Sequence, residues 1–277
     1  MSDRAALVLV ATPIGNAEDL SERARLELSE ADSVACEDTR RTGSLFARHG
    51  IAHDPFIVCN DHTEHHVADE IVNRIAAGQR VALVSDAGTP GVSDPGYRVV
   101  QAAIDAGLPV VAIPGPSAVL VAISVSGFAT DRFCFEGFLA RKGAERRTRI
   151  EGLRTEERTS VLFESPKRLP GTLADLEKTL GASRRVVVAR ELTKVYEQIW
   201  RGTLGEAIVA FEDAPRGEIV LVIEGAGPIE ITDGHITDAL SRELADGQTR
   251  RDAVDSVVLA TGAKKRRVYD LALGIDG

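Results

Sequence analysis

Most residues that could do chemistry in this chain follow short apolar runs, at the point where a buried strand would end. Five such loops are rich in glycine, proline or charge, and they cover residues 12–16, 37–41, 85–96, 114–117 and 190–194. Carboxyl ends of parallel strands meet at one edge of a sheet, so these loops can share a cleft. Glycine lets backbone N–H and C=O groups approach a ligand closely. The pattern therefore predicts a site for a small polar cofactor rather than for a phosphate chain.

The loop at 85–96, which reads SDAGTPGVSDPG, is the most informative of the five. It follows an apolar run at 81–84 that is typical of a buried strand, and it precedes a predicted helix at 97–106. A lone Asp-Gly turn would more often be a local turn in which Asp86 bonds its own backbone. A simple connection needs about 2–6 residues, however, and a longer one is more often functional. We therefore expect this loop to grip a ligand.

The alternation of strands and helices predicts an α/β architecture with a parallel sheet. The strands of this first sheet are predicted at 5–11, 33–36, 56–59, 81–84 and 110–113. A second sheet is predicted from further runs at 132–139, 160–163, 186–189, 198–202 and 218–223. We predict an N-terminal α/β domain at 1–116, a C-terminal α/β domain at 117–226 and a helical tail at 230–277.

The tail is a possible RNA-binding unit. The sequence at 249–252, TRRD, has the pattern of a capping box before an apolar-periodic helix, and a second short helix begins near the basic cluster at 264–267. Two short helices with clustered bases are typical of small nucleic-acid-binding modules. A solvated helical cap with surface charge fits the same pattern equally well.

Composition limits the classes of function. The 277 residues carry a net charge of -9, so nucleic-acid contact requires a local basic patch. The three cysteines are far apart and form no CxxC pair, which favours a reducing compartment and argues against a disulfide framework. The chain shows no signal-peptide core and no apolar run near the ~20 residues of a membrane span. We expect a soluble, cytoplasmic protein without membrane contact.

Several common chemistries lack their motifs. The GxGxxG and GxxxxGK phosphate-binding patterns and the GxSxG nucleophile elbow are absent from the sequence. His62 and His66 lie four residues apart beside Asp61, Glu64 and His65, but this cluster lacks the acid placement of a zincin. A polar loop is the better interpretation, and we predict no metal site.

Longer strings carry a resemblance to a known family. They are TPIGN at 12–16, EDTR at 37–40, SDAGTP at 85–90, DPG at 94–96, PGPS at 114–117, DRF at 131–133, EGF at 136–138 and RELTK at 190–194. From about Leu7 onward the chain resembles the tetrapyrrole methylase superfamily of S-adenosylmethionine-dependent methyltransferases. Within it, the chain is similar to the bacterial enzymes that methylate the ribose 2′-oxygen of a cytidine in 16S ribosomal RNA.

The resemblance implies the fold, the cofactor and the partners. It implies two α/β domains with S-adenosylmethionine in the interdomain cleft, plus a small helical C-terminal extension. It also implies a homodimer that acts on 16S ribosomal RNA or the small ribosomal subunit. Matched motif by motif, the implied cofactor-binding residues are Ile14, Asp86, Gly88, Thr89, Ser117, Ala118, Ser165 and Leu192. Ser165 and Leu192 match the family pattern less closely than the others.

The implied reaction is mainly a problem of positioning, because oxygen, methyl carbon and sulfur must lie in a line. A general base could accept the hydroxyl proton. The catalytic candidates are Glu37, Asp38, Arg40 and Glu191, with Asp86 and Glu164 as further possible bases. Glu191 could equally be held in an ion pair with Arg190 or Lys194. The candidates for RNA contact are Arg40, Arg41, Lys142, Lys167, Arg190, Lys194, Lys264, Lys265 and Arg266.

Two alternatives stay open at this point. The same fold could methylate a tetrapyrrole or another small molecule, although such a substrate needs neither the EDTR loop nor the basic tail. A non-catalytic RNA-binding or ribosome-assembly module could also keep a methylase fold. The intact loop at 85–96 and the PGPS turn argue against that second alternative.

Overall fold

The computed structural model describes residues 5–52, 55–227 and 232–275. The chain divides into two compact units, Met1–Ala226 and Gly227–Gly277. The first unit contains two five-stranded sheets.

The first sheet is entirely parallel, as predicted, with the strand order β3-β2-β4-β1-β5. Its strands are β1 (Ala6–Val10), β2 (Ser33–Cys36), β3 (Phe56–Val58), β4 (Arg80–Val84) and β5 (Val110–Ile113). The order makes β1 the neighbour of both β4 and β5, and β2 the other neighbour of β4. The loops that follow these four strands therefore emerge side by side.

Helices cover both faces of this sheet, as the continuous apolar strands require. They are α1 (Glu22–Glu30), α2 (Thr39–Arg48), α3 (Glu64–Ala76) and α4 (Tyr97–Asp105). Leu28 and Phe46 of α1 and α2 pack on one face, and Ile71 and Val99 of α3 and α4 pack on the other. The side chain of Asp38 caps α2 by accepting from the Arg40 backbone N–H at 2.8 Å.

The second sheet is mixed, with the order β6-β7-β10-β8-β9. Its strands are β6 (Phe133–Phe138), β7 (Thr159–Glu164), β8 (Arg185–Arg190), β9 (Gln198–Thr203) and β10 (Ile219–Ile223). Strands β6 and β7 are parallel, whereas β10 runs antiparallel to β7 and β8, and β9 runs antiparallel to β8. All ten predicted strands are confirmed, with ends that shift by a residue or less.

Four helices surround the second sheet. Helix α5 (Ala118–Ser126) packs on one face, while α6 (Ala144–Gly152), α7 (Leu169–Leu180) and α8 (Leu204–Ala210) cover the other. The packing of α5 on this sheet favours a domain boundary between residues 116 and 117, and that boundary stays a prediction.

Within residues 232–275, the second unit contains three helices, α9 (Asp233–Ala245), α10 (Arg250–Thr261) and α11 (Lys265–Leu273). They share a core that includes Ile236, Leu240 and Val254. Helix α9 was not predicted. At the start of α10, Thr249 accepts from the Asp252 backbone N–H at 3.2 Å, as expected for a cap. The Asp252 carboxylate accepts from the Thr249 hydroxyl at 2.6 Å instead of reaching back to its backbone, which makes only half of a capping box.

Candidate active site

The loops after β1, β4 and β5 are joined to one another by hydrogen bonds. Thr12 and Gly88 exchange two backbone bonds, at 2.8 and 3.0 Å, and the Thr12 hydroxyl donates to the Ser85 carbonyl at 3.0 Å. The Thr89 hydroxyl donates to the Pro116 carbonyl at 3.4 Å. Gly88 has φ +85°, a left-handed conformation that favours glycine. Three of the five loops predicted to share a cleft therefore lie against one another.

The loop at 190–194 of the second sheet closes against the loop at 12–16 of the first. The Asn16 backbone N–H donates to the Thr193 hydroxyl at 3.0 Å. A Cβ on Gly15 would lie 2.8 Å from Thr193 Oγ1 and 2.9 Å from the Leu192 carbonyl oxygen, so only glycine fits this approach without displacement. Two residues of the second loop, Glu191 and Thr193, have φ angles of +52° and +65°.

A cavity of about 330 Å³ lies where the loops of the two sheets meet. This size suits a small-molecule site, for which about 300–1,000 Å³ is typical. Apolar side chains form much of the wall, and Asp94, Ser117 and Ser165 add polar groups. Seven of the eight residues predicted to bind the cofactor line this cavity, namely Ile14, Gly88, Thr89, Ser117, Ala118, Ser165 and Leu192.

The eighth predicted residue, Asp86, lines an adjoining cavity of about 390 Å³. The two cavities share Ile14, Ala87 and Glu218 in their walls. The second cavity is richer in charged and hydroxyl side chains, which are Thr12, Arg41, Thr42, Ser44, Arg48, Ser85, Asp86, Lys194 and Glu218. An apolar pocket thus opens beside a polar one whose cationic groups suit an anionic ligand.

The acidic candidates after β2 have different environments. The Asp38 backbone N–H donates to Asp86 Oδ1 at 3.1 Å, and Arg41 Nη1 lies 3.5 Å from Asp86 Oδ2. Burial raises the pKa of Asp86, and burial together with the charge of Asp86 raises the pKa of Glu37. The pKa of Asp38 is instead lowered, chiefly by the hydrogen bond from the Arg40 backbone. The environment therefore makes Glu37 and Asp86 stronger bases than usual and Asp38 a weaker one.

Glu191 is held in an ion pair, one of the two possibilities considered from the sequence. Its carboxylate accepts from Lys194 Nζ at 2.8 Å and from the Glu218 backbone N–H at 2.9 Å. These hydrogen bonds lower the pKa of Glu191, and the bond from Lys194 has the largest effect. The Glu191 carboxylate is therefore a weak base. Lys194 also bonds Glu218 at 2.7 Å. Arg190 donates to the Gln198 side chain and to a backbone carbonyl, both at 3.0 Å.

The remaining basic candidates are more accessible. The Arg40 side chain is 91% exposed and the Arg41 side chain 63%. Lys142, Lys167, Lys264 and Arg266 are also exposed, whereas Lys265 forms an ion pair with Asp255 at 2.5 Å. The basic run at 141–149 does not act as a single surface. Arg146 within it is 8% exposed and bonds Asp175 and Thr172.

The structure also places three residues here that the sequence analysis did not assign. Asp94 and Phe138 line the first cavity, and both belong to strings that were available as signals, DPG and EGF. Burial raises the pKa of Asp94 to about 6. Glu64 is buried and accepts from the backbone N–H groups of Gly96 and Arg98, both at 2.8 Å. No local sequence signal distinguishes Glu64, because its partners lie more than thirty residues away.

The neighbourhood of Glu64 differs from the polar loop that was predicted. Glu64 begins α3 and points inward, whereas His65 and His66 on the same helix are exposed. Among the residues that the structure describes, no group of three histidine, cysteine or acidic side chains could hold a metal ion. In the same ranges, no helix is both long and apolar enough to cross a membrane.

Known proteins share this chain's sequence over nearly its full length. Ribosomal RNA small subunit methyltransferase I of Synechocystis sp. is 46% identical over 274 residues, which cover 98% of each chain. The protein of the same name from Escherichia coli O157:H7 is 40% identical over 277 residues, which cover 98% of this chain and 96% of that one.

Among solved structures, the methyltransferase CobJ superposes with a TM-score of 0.61 at 19% identity, over 82% of this chain and 96% of CobJ. Diphthine synthase gives a TM-score of 0.61 at 15% identity, over 79% of this chain and 89% of that one. At such identities these matches concern the fold alone, and they confirm the predicted two-sheet α/β architecture.

The sequence profile of the Tetrapyrrole (Corrin/Porphyrin) Methylases matches residues 6–208. The matched segment contains the loops after β1, β4 and β5, the loop at 190–194 that closes against the first of them, and all strands except β10. It thus agrees with the motif strings, the topology and the relatives, and this chain belongs to the tetrapyrrole methylase family.

Proposed function

We propose that this protein uses S-adenosylmethionine to methylate the ribose 2′-hydroxyl of a cytidine in 16S ribosomal RNA. The observation that carries the proposal is the pair of adjoining cavities. One is lined by seven of the residues that match the family's cofactor motifs, and the other offers the side chains of Arg41 and Arg48 to a polyanion. The relatives that match nearly the whole chain bear the name of a small-subunit ribosomal RNA methyltransferase.

The residues of the first cavity fit the cofactor. Ile14 and Leu192 provide apolar walls, and Gly88, which has no side chain, contributes its backbone to the same wall. When bound, S-adenosylmethionine supplies a methyl group on a positively charged sulfur. Asp94 provides a carboxylate in the same cavity, and a carboxylate suits a cationic ligand. The chain's own contribution is to exclude water and to fix the direction of approach.

Glu37 and Asp86 are the residues we favour for accepting the hydroxyl proton. A base works best when its pKa lies near the working pH, and burial raises the pKa of both carboxyl groups. Arg41 contacts Asp86 and lines the polar cavity, where its exposed guanidinium can also meet a phosphate. Arg40 lies next to it and is almost fully exposed.

The RNA is held at more than one place in this proposal. Phosphate contacts fix position, whereas recognition of one cytidine requires its base to leave the stack. Besides Arg40 and Arg41, exposed Lys142 and Lys167 of the first unit can meet phosphates. In the second unit, Lys264 and Arg266 are exposed at the start of α11, which supports its role as an RNA-binding unit.

We extend the proposal to a homodimer located in the cytoplasm, as the resemblance implies. Val195 and Tyr196 support an interface between subunits. These adjacent side chains, in the turn between β8 and β9, are 93% and 73% exposed. Exposed apolar groups that cluster in this way are typical of interaction surfaces.

The alternatives are less well supported. Small-molecule methylation is suggested by the description of the matched family and by solved structures that share the fold at 16–19% identity, whereas the relatives that match nearly the whole chain are named as ribosomal RNA methyltransferases. A non-catalytic assembly module would have no need for the joined loops and the cavity that they form.

The test is methyl transfer from labelled S-adenosylmethionine to small ribosomal subunits isolated from a strain that lacks the modification. Fully modified subunits are the matched control, and the product nucleoside is identified by mass spectrometry. We expect 2′-O-methylcytidine with the first substrate and no incorporation with the second. Cofactor binding by calorimetry without transfer to unmodified subunits or free ribosomal RNA would refute the proposed substrate.

A further inference from the structure

Phe138 is a large aromatic side chain left half exposed at the rim of the first cavity. It is 51% exposed at the end of β6, an edge strand of the second sheet. Its ring centroid lies 5.5 Å from that of Phe163, which in turn lies 5.0 Å from Phe135. Phe163 also lines the cavity. The aromatic row therefore extends from the packed sheet to the cavity mouth, and Phe138 is its accessible end.

A β-bulge directs Phe138 toward the cavity. Phe135 pairs with Val161 and Phe138 pairs with Phe163, so three steps along β6 match two steps along β7. Side chains alternate between faces of a sheet, and a shift of one residue moves a side chain to the other face. Without the extra residue, Phe138 would point to the face covered by α6, α7 and α8. Bulges of this kind often re-aim a side chain next to an active site.

Three features hold the bulge in place. Arg149 of α6 donates to the carbonyl oxygen and the carboxylate of Glu136, and to the Phe138 carbonyl at 3.1 Å. Gly137 has φ +58°, which glycine adopts at little cost. A Cβ at Gly137 would lie 3.2 Å from the hydroxyl of Ser93 in the loop after β4. The position of Phe138 is therefore fixed by its own sheet and limited by the loop that lines the cavity.

We propose that the Phe138 ring is the surface on which the base of the target cytidine stacks after it leaves the RNA stack. This inference rests on the proposed function. An unstacked base in single-stranded RNA is commonly bound by an aromatic side chain. The exposed cationic side chains of Arg141 and Lys142 follow in the same segment. Because an extended chain spans at most about 3.6 Å per residue, the Cα atom of Lys142 lies within about 14 Å of that of Phe138. The aromatic ring can therefore contact the base while the cationic side chains contact the phosphates of the same short RNA segment.

The test compares Phe138→Ala, Phe138→Leu and Phe138→Tyr in methyl transfer to unmodified small ribosomal subunits. For Phe138→Ala we expect KM to rise about 5- to 150-fold, the range for stacking one base on an aromatic side chain. We expect kcat to change much less, because stacking contributes to the ground state and the transition state alike. Phe138→Tyr should keep KM near the wild-type value. Phe138→Leu, which keeps apolar bulk but has no aromatic ring, should raise KM. The dissociation constant of S-adenosylmethionine, measured by calorimetry, should stay within about twofold in all three.

Val209→Ala is the matched control, since it trims an exposed apolar side chain of α8, a helix that contributes no residue to the lining of either cavity. A wild-type KM in Phe138→Ala would overturn the proposal, as would a wild-type KM in both Phe138→Leu and Phe138→Tyr. Loss of S-adenosylmethionine binding in Phe138→Ala would assign the ring to the cofactor instead. Failure of the wild-type protein to methylate subunits would refute the proposed function itself, and this outcome is distinct from the others.

Discussion

Ionisation of Asp94 should destabilise the folded protein, so that Asp94→Asn stabilises it near neutral pH. The pKa of this carboxyl is raised from 3.8 to about 6, chiefly by burial. The charges of Glu37, Asp86 and Asp61 act in the same direction. The hydrogen bond from the Ser85 side chain acts against them. Asparagine keeps the shape and can still accept from Ser85, but it carries no charge to bury.

The sign and size of this effect follow from linkage between folding and protonation. Each pKa unit corresponds to about 1.4 kcal/mol, so a rise from 3.8 to about 6 would cost about 3 kcal/mol at a fully buried site. Asp94 is partly exposed, and solvent screening reduces our expectation to about 1–2 kcal/mol. Because the folded pKa is raised, stability falls as pH rises from about 4 to about 6 and stays lower above that window. The advantage of Asp94→Asn should therefore be complete at pH 7–8 and vanish near pH 4.

The assay is urea unfolding at several pH values, followed by tryptophan fluorescence. The single tryptophan, Trp200, lies in β9 of the same compact unit as Asp94 and therefore reports on that unit. Asp213→Asn, at an exposed site, is the matched control and should show no such pH-dependent gain. An Asp94→Asn advantage that is absent, or equal at pH 4 and pH 8, would refute the reasoning. Calorimetry should show weaker S-adenosylmethionine binding in Asp94→Asn if the carboxylate serves the cationic ligand.

Two further substitutions test how the loops are held. Gly15→Ala should lower stability by about 1–3 kcal/mol and weaken cofactor binding, because the added methyl overlaps Thr193 and a backbone carbonyl that must move; thermal unfolding and calorimetry measure the two effects. Glu64→Ala should cost about 1–3 kcal/mol in urea unfolding, because it leaves the buried N–H of Gly96, and that of Arg98, without their carboxylate acceptor.

Each of these two substitutions has a control. Gly171→Ala in α7 adds a methyl where no heavy atom of the described residues lies within 4 Å, and it should not lower stability. Asp69→Asn, on the exposed side of α3, should leave unfolding nearly unchanged. If Gly15→Ala behaves like Gly171→Ala, the approach of the two loops is looser than described. Equal stabilities of Glu64→Ala and Asp69→Asn would mean that Glu64 does not support the loop.

The fold was predictable because its signals are local. Buried parallel strands read as short aliphatic runs, and glycine- and proline-rich segments mark the loops between them. Helix α9 was missed even though Ile236 and Leu240 have the four-residue spacing of a helix face and Thr232 caps its start. The direction of β10, antiparallel to both neighbours, follows from long-range pairing that no local pattern encodes.

The sequence by itself determined the family, the loops that meet at the first cavity and seven of the residues that line it. Those properties depend on residue types at fixed spacing, such as the glycines and prolines of SDAGTP and PGPS. Only the tertiary structure decided which charges are available. It holds Glu191 and Lys194 in an ion pair, buries Arg146 against Asp175, and turns Phe138 toward the cavity through one extra residue in β6. These outcomes depend on burial, pairing and strand register, which arise only when distant segments of the chain meet.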